Sequence, residues 1–286
     1  MNQRDKFRLR LPSRTLLLGE RTLIMGVLNV TPDSFSDGGR FLKAELAVEH
    51  ALQMERDGAD ILDIGGESTR PGANPLGAAE ELDRILPVLE LLRERLKIPI
   101  SIDTQKAEVA KAAIARGAVI VNDVSALRLD KALPEVIAES NAGVILMHMR
   151  GKPRTMQNGP FARDVMRDVM KGLREALGRA KRVGIEQSRI LIDPGIGFGK
   201  NYRQNFEVLA RLSELSKLGC PIVVGASRKA FLGASLDNAL PGERVWGTAA
   251  TVAAAILAGA HIVRVHDVKE MVQVARIADR IAAVRK

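Results

Sequence analysis

Eight short apolar runs recur along the chain, at residues 23–28, 61–64, 98–102, 118–121, 144–147, 190–192, 222–224 and 262–265. Between them lie stretches with helical spacing of apolar positions, at 44–57, 78–96, 106–116, 133–140, 163–183, 206–218 and 247–257, and a last one at 269–284 closes the series. The short runs are apolar throughout rather than alternating, as strands need to be when helices sheathe a parallel sheet. Eight strands each followed by a helix predict a (β/α)8 barrel. A doubly wound open sheet is the alternative, because periodicity does not reveal whether the sheet closes. Gly58, Gly117, Gly184 and Gly259 follow predicted helices, where a left-handed residue ends the last turn. Ahead of the first unit, Leu9, Leu11 and Leu16 to Leu18 flank the Pro12-Ser13 and Gly19-Glu20 turns, which predicts a β-hairpin covering the bottom of the barrel.

Composition narrows this picture. With 286 residues, 46% of them hydrophobic, the chain can bury a large core, and no low-complexity segment divides it. A single domain over 1–286 is expected, with the hairpin in 1–22 and the barrel in 23–286. The opening Met1-Asn2-Gln3-Arg4-Asp5-Lys6 lacks a signal-peptide core, and the weakly polar run 247–260 is shorter than the ~18 residues of a membrane span. The single cysteine, Cys220, permits no internal disulfide or CxxC metal site. A cytoplasmic location is therefore expected. A net charge of +9 raises nucleic acid as a partner, because phosphate neutralisation dominates such binding. Aromatics make up only 3%, however, and cations such as Arg84, Arg93, Arg95, Lys97, Arg179, Lys181 and Arg182 are spread over predicted helices without stacking residues between them. That pattern is a solvated helix surface, so neither nucleic acid nor membrane is expected, while an anionic small molecule suits the excess.

In a barrel, the C-terminal strand ends converge on one face and build the active site. Here the eight ends carry Asn29; Asp63 to Gly72; Asp103-Thr104; Asn122-Asp123; Met147-His148-Met149; Asp193 to Lys200; Gly225 to Lys229; and Arg264 to Asp267. Core filling does not place amides, carboxylates and cations at the same end of every strand. Asp103, Asn122 and Asp193, with Lys229 as the expected countercharge, suit a planar heterocycle rich in N–H donors. A buried ion-pair network that merely orders the barrel centre is the structural alternative. Asn29, Ser227, Arg228, Arg264 and His266, with backbone N–H groups at helix starts, form a candidate anion site. Two motifs are rejected. Pro194 and Asn201 spoil a Walker reading of the glycine run ending at Lys200, and His50, His148, His261 and His266 lack zinc-ligand spacing. A Mg2+ held mostly by substrate phosphates and one protein oxygen is compatible.

The segments from Leu28 to Gly39, Gly65 to Gly72, Asp103-Thr104, Asn122 to Val124, Met147 to Met149, Asp193 to Lys200, Ser227 to Lys229 and Arg264 to Asp267 resemble the dihydropteroate synthase family, in order, from about Gly26 onward. The resemblance implies that p-aminobenzoate displaces pyrophosphate from 6-hydroxymethyl-7,8-dihydropterin diphosphate, and that sulfonamides act on the enzyme. It implies a pterin pocket of Asp103, Asn122, Met147, Asp193, Phe198, Gly225 and Lys229, with Asp103, Asp193, Lys229, Arg264 and His266 in catalytic roles. Diphosphate would meet Asn29, Thr69, Arg264 and His266, with Asn29 as the Mg2+ ligand. Phe35, Thr69, Arg70, Pro71, Ser227 and Arg228 would shape the p-aminobenzoate site, with that substrate binding second under the first two loops. A homodimer through the barrel helices is implied as well. Arg150 stands where many members carry Gln. A methyl-transferring or catalytically silent pterin-binding barrel remains open as the rival reading; the former has no need of Arg264, His266 or the Ser227-Arg228-Lys229 cluster.

Overall fold

A computed structural model describes residues 4–31, 40–68, 75–151 and 155–284. Two short strands, β1 (Phe7–Arg10) and β2 (Thr15–Leu18), pair antiparallel, with Phe7 opposite Leu18 and Arg10 opposite Thr15. The barrel strands follow as β3 (Leu23–Asn29), β4 (Ile61–Gly65), β5 (Ile100–Asp103), β6 (Ala118–Asp123), β7 (Gly143–Met147), β8 (Ile190–Asp193), β9 (Val223–Val224) and β10 (Ile262–Val265). All neighbours pair in parallel, in the order β8-β7-β6-β5-β4-β3-β10-β9. A parallel bridge between Ile192 and Ile222 joins the two ends and closes the barrel. The helices packed outside are α1 (Arg40–Arg56), α2 (Ala78–Leu92), α3 (Ala107–Ile114), α4 (Leu133–Ser140), α5 (Val165–Arg182), α6 (Tyr202–Ala210), α7 (Ala230–Ala234), α8 (Val245–Leu257) and α9 (Val268–Val284).

Three of the departures from the expected boundaries have a local reason, while the short α7 has no counterpart among the expected helices. The strand expected from residue 98 begins at Ile100, after Pro99, which has no N–H to donate to a ladder. The helix expected over 206–218 is two pieces: α6 is started by a reciprocal Asn201–Gln204 capping box, and beyond Arg211 the chain tightens into a 3-10 turn at Leu212–Leu218. The strand expected over 222–224 keeps only Val223 and Val224, with Ile222 reduced to the closing bridge. Among the described residues no helix is long and apolar enough to cross a membrane.

Alternation along each strand sorts the interior into layers. At the bottom, Leu23, Met25, Ile61, Ile120, Ile145, Leu191, Val223 and Ile262 meet Leu9, Leu11 and Leu18 of the hairpin in one buried apolar cluster. Gly143, at the start of β7, makes room for this plug: a Cβ there would lie 2.7 Å from the Leu11 side chain. The opposite faces of the strands pack on the helices in the larger core, which includes Leu28, Leu62, Ile64, Ile102, Val121 and Val263. At the top, register places Asn29 beside Gly65, Gly65 beside Asp103, Asp103 beside Asn122, and Met147 beside Asp193. The polar strand ends therefore share one level of the barrel.

Candidate active site

A single guanidinium organises the top layer. Arg264 Nε donates to Asp63 Oδ2 at 2.6 Å, and a terminal nitrogen donates to Asp103 Oδ2 at 2.7 Å. Asn122 Nδ2 donates to the same Asp63 oxygen at 3.0 Å. Asp63, Asp103 and Asn122 are all buried. Among the described residues the remaining oxygens, Asp63 Oδ1 and Asp103 Oδ1, are buried without a hydrogen-bond partner. Buried polar atoms are nearly always satisfied, so two orphan carboxylate oxygens in one layer mark a surface built to accept donors from a ligand. Burial lifts the Asp103 carboxyl to about 7, against the pull of Arg264. Burial also weakens the Arg264 charge, but Asp63 and Asp103 outweigh it and raise that group.

The second half of the layer belongs to β8 and the segment after β9. Asp193 Oδ1 accepts from the Gly195 N–H at 2.6 Å, and Lys229 is the leading cation beside it. Burial raises Asp193 and depresses Lys229, to about 8 for the lysine. The Lys229 ammonium donates to the Ile196 carbonyl and lies 4.5 Å from the centre of the Phe198 ring. Phe198 packs with Met147, Val124, Met149 and Met156 in a separate buried apolar cluster. A Cβ at Gly225 would come within 4.0 Å of Asp193 Oδ2 and 3.7 Å of the Arg264 stem, so the bare backbone keeps this floor open. A slot results, with an apolar wall on one side and carboxylate and amide acceptors on the other.

Beside the slot, Ser227 Oγ is 3.0 Å from His266 Nδ1 and also accepts the His266 N–H at 3.2 Å. Arg228 adopts φ +59 and turns its guanidinium onto both carboxylate oxygens of Asp267. Asn29 ends β3, with its Oδ1 3.9 Å from where a Gly65 Cβ would stand. Phe35, Thr69, Arg70, Pro71 and most of the first two loops lie outside the described residues.

The structure brings together Asp103, Asn122, Asp193, Gly225, Lys229 and Arg264 as the sequence predicts, but divides the charges differently. Lys229 is not the direct countercharge of Asp103; Arg264 is, and it joins the acceptor cluster through two of its five N–H donors. Coulomb attraction from two buried carboxylates draws the guanidinium inward across the barrel. Asp63 was missing from the predicted set. Its signal was present in the sequence, as a carboxylate two positions before the end of an apolar strand, on the same face as Gly65.

Residues 25–266 match the family model described as "Pterin binding enzyme". The dihydropteroate synthase of Synechocystis sp. is 48% identical over 263 residues, spanning 92% of this chain and 91% of the relative. Among solved structures, Xanthomonas albilineans dihydropteroate synthase with 4-aminobenzoic acid superposes with a TM-score of 0.90 at 43% identity, covering 98% of this chain and all of the other. The Yersinia pestis dihydropteroate synthase in complex with a sulfonamide drug gives a TM-score of 0.90 at 42% identity, covering 97% of this chain and all of the other. With its slot of orphan acceptors at the mouth of a closed barrel and these likenesses over nearly its whole length, the chain belongs to the dihydropteroate synthases among the pterin-binding enzymes.

Proposed function

We infer that this protein joins p-aminobenzoate to 6-hydroxymethyl-7,8-dihydropterin diphosphate, releasing pyrophosphate and 7,8-dihydropteroate in folate synthesis, and that sulfonamides compete at its p-aminobenzoate site. The observation that carries this reading is the pair of unpartnered carboxylate oxygens beside Asn122 and Asp193. A pterin edge presents several N–H donors in one plane, and carboxylate oxygens meet such an edge with strong, directional hydrogen bonds. Phe198 and Met147 close one face of the slot, and the Lys229 ammonium beside Phe198 donates to a pterin carbonyl or ring nitrogen.

No nucleophile is required of the protein, because the incoming arylamine is itself neutral and nucleophilic. Departure of diphosphate is the demanding event, and Ser227 and His266, at the ends of β9 and β10, sit where barrels commonly hold phosphate. The donor set fits Mg2+ in one limited way. Among the described residues no three acidic, His or Cys side chains cluster as a metal site, while Asn29 offers a neutral amide oxygen at the slot's edge. Mg2+ needs few protein ligands when phosphates and water complete its shell, and when bound it supplies positive charge for the departing diphosphate. Asp103 and Asp193 then stabilise positive charge spreading into the heterocycle as the C–O bond weakens.

A homodimer in the cytoplasm completes the proposal. Leu240, Trp246, Ile277, Ile281 and Val284 are exposed around α8 and α9, and Trp246 is 79% exposed, which suits a second copy better than water. The deciding assay is pyrophosphate release from the pterin diphosphate with Mg2+, with and without p-aminobenzoate. Release that depends on p-aminobenzoate and falls by about 100-fold in Asp193→Ala, the loss expected when charged hydrogen bonds go, supports the reading. Release that ignores p-aminobenzoate, or survives the substitution, rejects it.

A further inference from the structure

Directly behind the slot lies a cation that the reaction does not use. Lys200 is 1% exposed, and its ammonium has three acceptors: the Gly195 carbonyl at 2.8 Å, His148 Nδ1 at 3.1 Å and the Phe198 carbonyl at 3.2 Å. Three N–H donors meeting three acceptors saturate the group. Burial lowers Lys200 to about 7, with Asp193 pulling the other way.

The two carbonyls are the ends of one turn. Phe198 N–H donates to the Gly195 carbonyl at 3.1 Å, Gly195 N–H caps Asp193, and the Phe198 ring walls the slot. Gly195 and Gly197 have positive φ, so two of the turn's four residues add little stiffness of their own. Gly195 must be glycine, since a Cβ would sit 1.9 Å from the His148 carbonyl oxygen. Gly197 is held separately, by Asn205 on its N–H and Gln157 on its carbonyl, both at 2.7 Å. Lys200 joins the carbonyls at the turn's two ends, while Lys229 holds the Ile196 carbonyl between them.

The fastening continues outward. An Nδ1 that accepts from Lys200 leaves the His148 proton on Nε2, which faces Asp168 Oδ2 at 3.4 Å. Burial and then the Lys200 charge hold His148 down at about 4, consistent with a neutral ring. Asp168 also takes the Arg150 guanidinium at 3.0 Å, and Arg150 Nε donates to the Pro160 carbonyl at 3.0 Å. Asp168 stands in the first turn of α5, a helix started by the Asp164 side chain on the Arg167 N–H and ending in Arg179, Lys181 and Arg182.

We propose that Lys200 is a positioning residue for the pterin, clamping the Gly195–Phe198 turn so that Asp193 and Phe198 hold their places, and that His148, Asp168 and Arg150 anchor this clamp to α5. The proposal rests on the pterin reading of the slot. Its test compares binding of 6-hydroxymethyl-7,8-dihydropterin diphosphate and steady-state kinetics in five variants. Lys200→Met removes the ammonium and keeps the stem. His148→Asn keeps an acceptor near the Nδ1 position, whereas His148→Leu removes it. Leu18→Ala, at the barrel bottom, is the stability control, and Asp193→Ala tests the slot itself.

Lys200→Met is expected to weaken pterin diphosphate binding about 10- to 100-fold, the range for lost hydrogen bonds to a charged group, and to raise its KM while lowering kcat less than Asp193→Ala does. His148→Asn should stay within about three-fold of the parent while His148→Leu falls toward Lys200→Met. Unchanged binding in Lys200→Met beside a clear loss in Asp193→Ala overturns the clamp and leaves the slot. Undiminished binding in Asp193→Ala overturns the pterin reading instead. Equal affinity losses in Leu18→Ala and Lys200→Met at matched falls in Tm would reduce Lys200 to general stability.

Discussion

The two ends of this barrel are made by the same strands and obey opposite rules. At the bottom, Leu9, Leu11 and Leu18 of the hairpin drive apolar side chains into a ring of apolar strand starts, a cluster completed by the chain's own residues. At the top, Asp63, Asp103, Asn122, Asp193, Lys229 and Arg264 crowd a layer that is internally incomplete, with Asp63 Oδ1 and Asp103 Oδ1 unpartnered among the described residues. Stability is concentrated where the layer is self-sufficient, and recognition where it is not. The difference also explains why so costly a cluster persists: buried ion pairs add little net stability, so their value lies in the ligand they await.

Four variants break or sharpen this contrast. The largest effect is expected of Arg264→Ala, which strands two buried carboxylates; unfolding free energy should drop by about 4 kcal/mol and synthesis of dihydropteroate should collapse, read by denaturant titration and pyrophosphate release. Leu18→Ala should cost about 3 kcal/mol by opening a cavity in the plug, yet leave KM for both substrates unchanged at 25 °C. If it disturbs KM, the ends are not independent.

A pH series isolates the top layer. Burial places Asp103 at about 7 in the fold against its ordinary 3.8, so between these values the folded protein holds a proton that the unfolded chain has released. This contribution is complete below the lower value and is lost as pH rises through the upper one. The Tm advantage of the parent over Asp103→Asn in the ligand-free protein should therefore shrink from about pH 4 to about pH 7. Parallel Tm profiles for the two would contradict it. The smallest effect belongs to Arg10→Ala, at the bottom rim, where the Arg10–Glu186 pair is 65% and 59% exposed. A change of no more than about 0.5 kcal/mol is expected in the same denaturant titration.

Much of the top layer was legible before any coordinates. Apolar runs ending in Asp103, Asn122 and Asp193 mark those groups as strand-end residues, whereas their shared level depends on register, which shifts at Ile100/Ser101 to set Asp103 beside Asn122. The partnerships were not legible. Arg264 and Asp63 are separated by 201 positions in the chain, and only closure makes them neighbours. Lys200 reads in sequence as the end of a failed phosphate loop, and its acceptors are carbonyls, which no residue type reveals. The split of the expected 206–218 helix was legible only in part, since the Asn201–Gln204 box marks its start while the change of winding at Arg211 comes from packing.

The closure of the barrel is uneven, and that has a consequence for how it handles a bulky ligand. Five paired positions join β3 to β4, two join β10 to β9, and β9 meets β8 through the bridge at Ile192 and Ile222. The thinly laced seam runs between the strand that carries Asp193 and the segment that carries Ser227 and Lys229, where the Lys229 ammonium on the Ile196 carbonyl adds a side-chain tie. A bulky ligand is then expected to strain the wall first at this seam, and amide hydrogens along 222–224 should be the first of the barrel's own to trade with solvent.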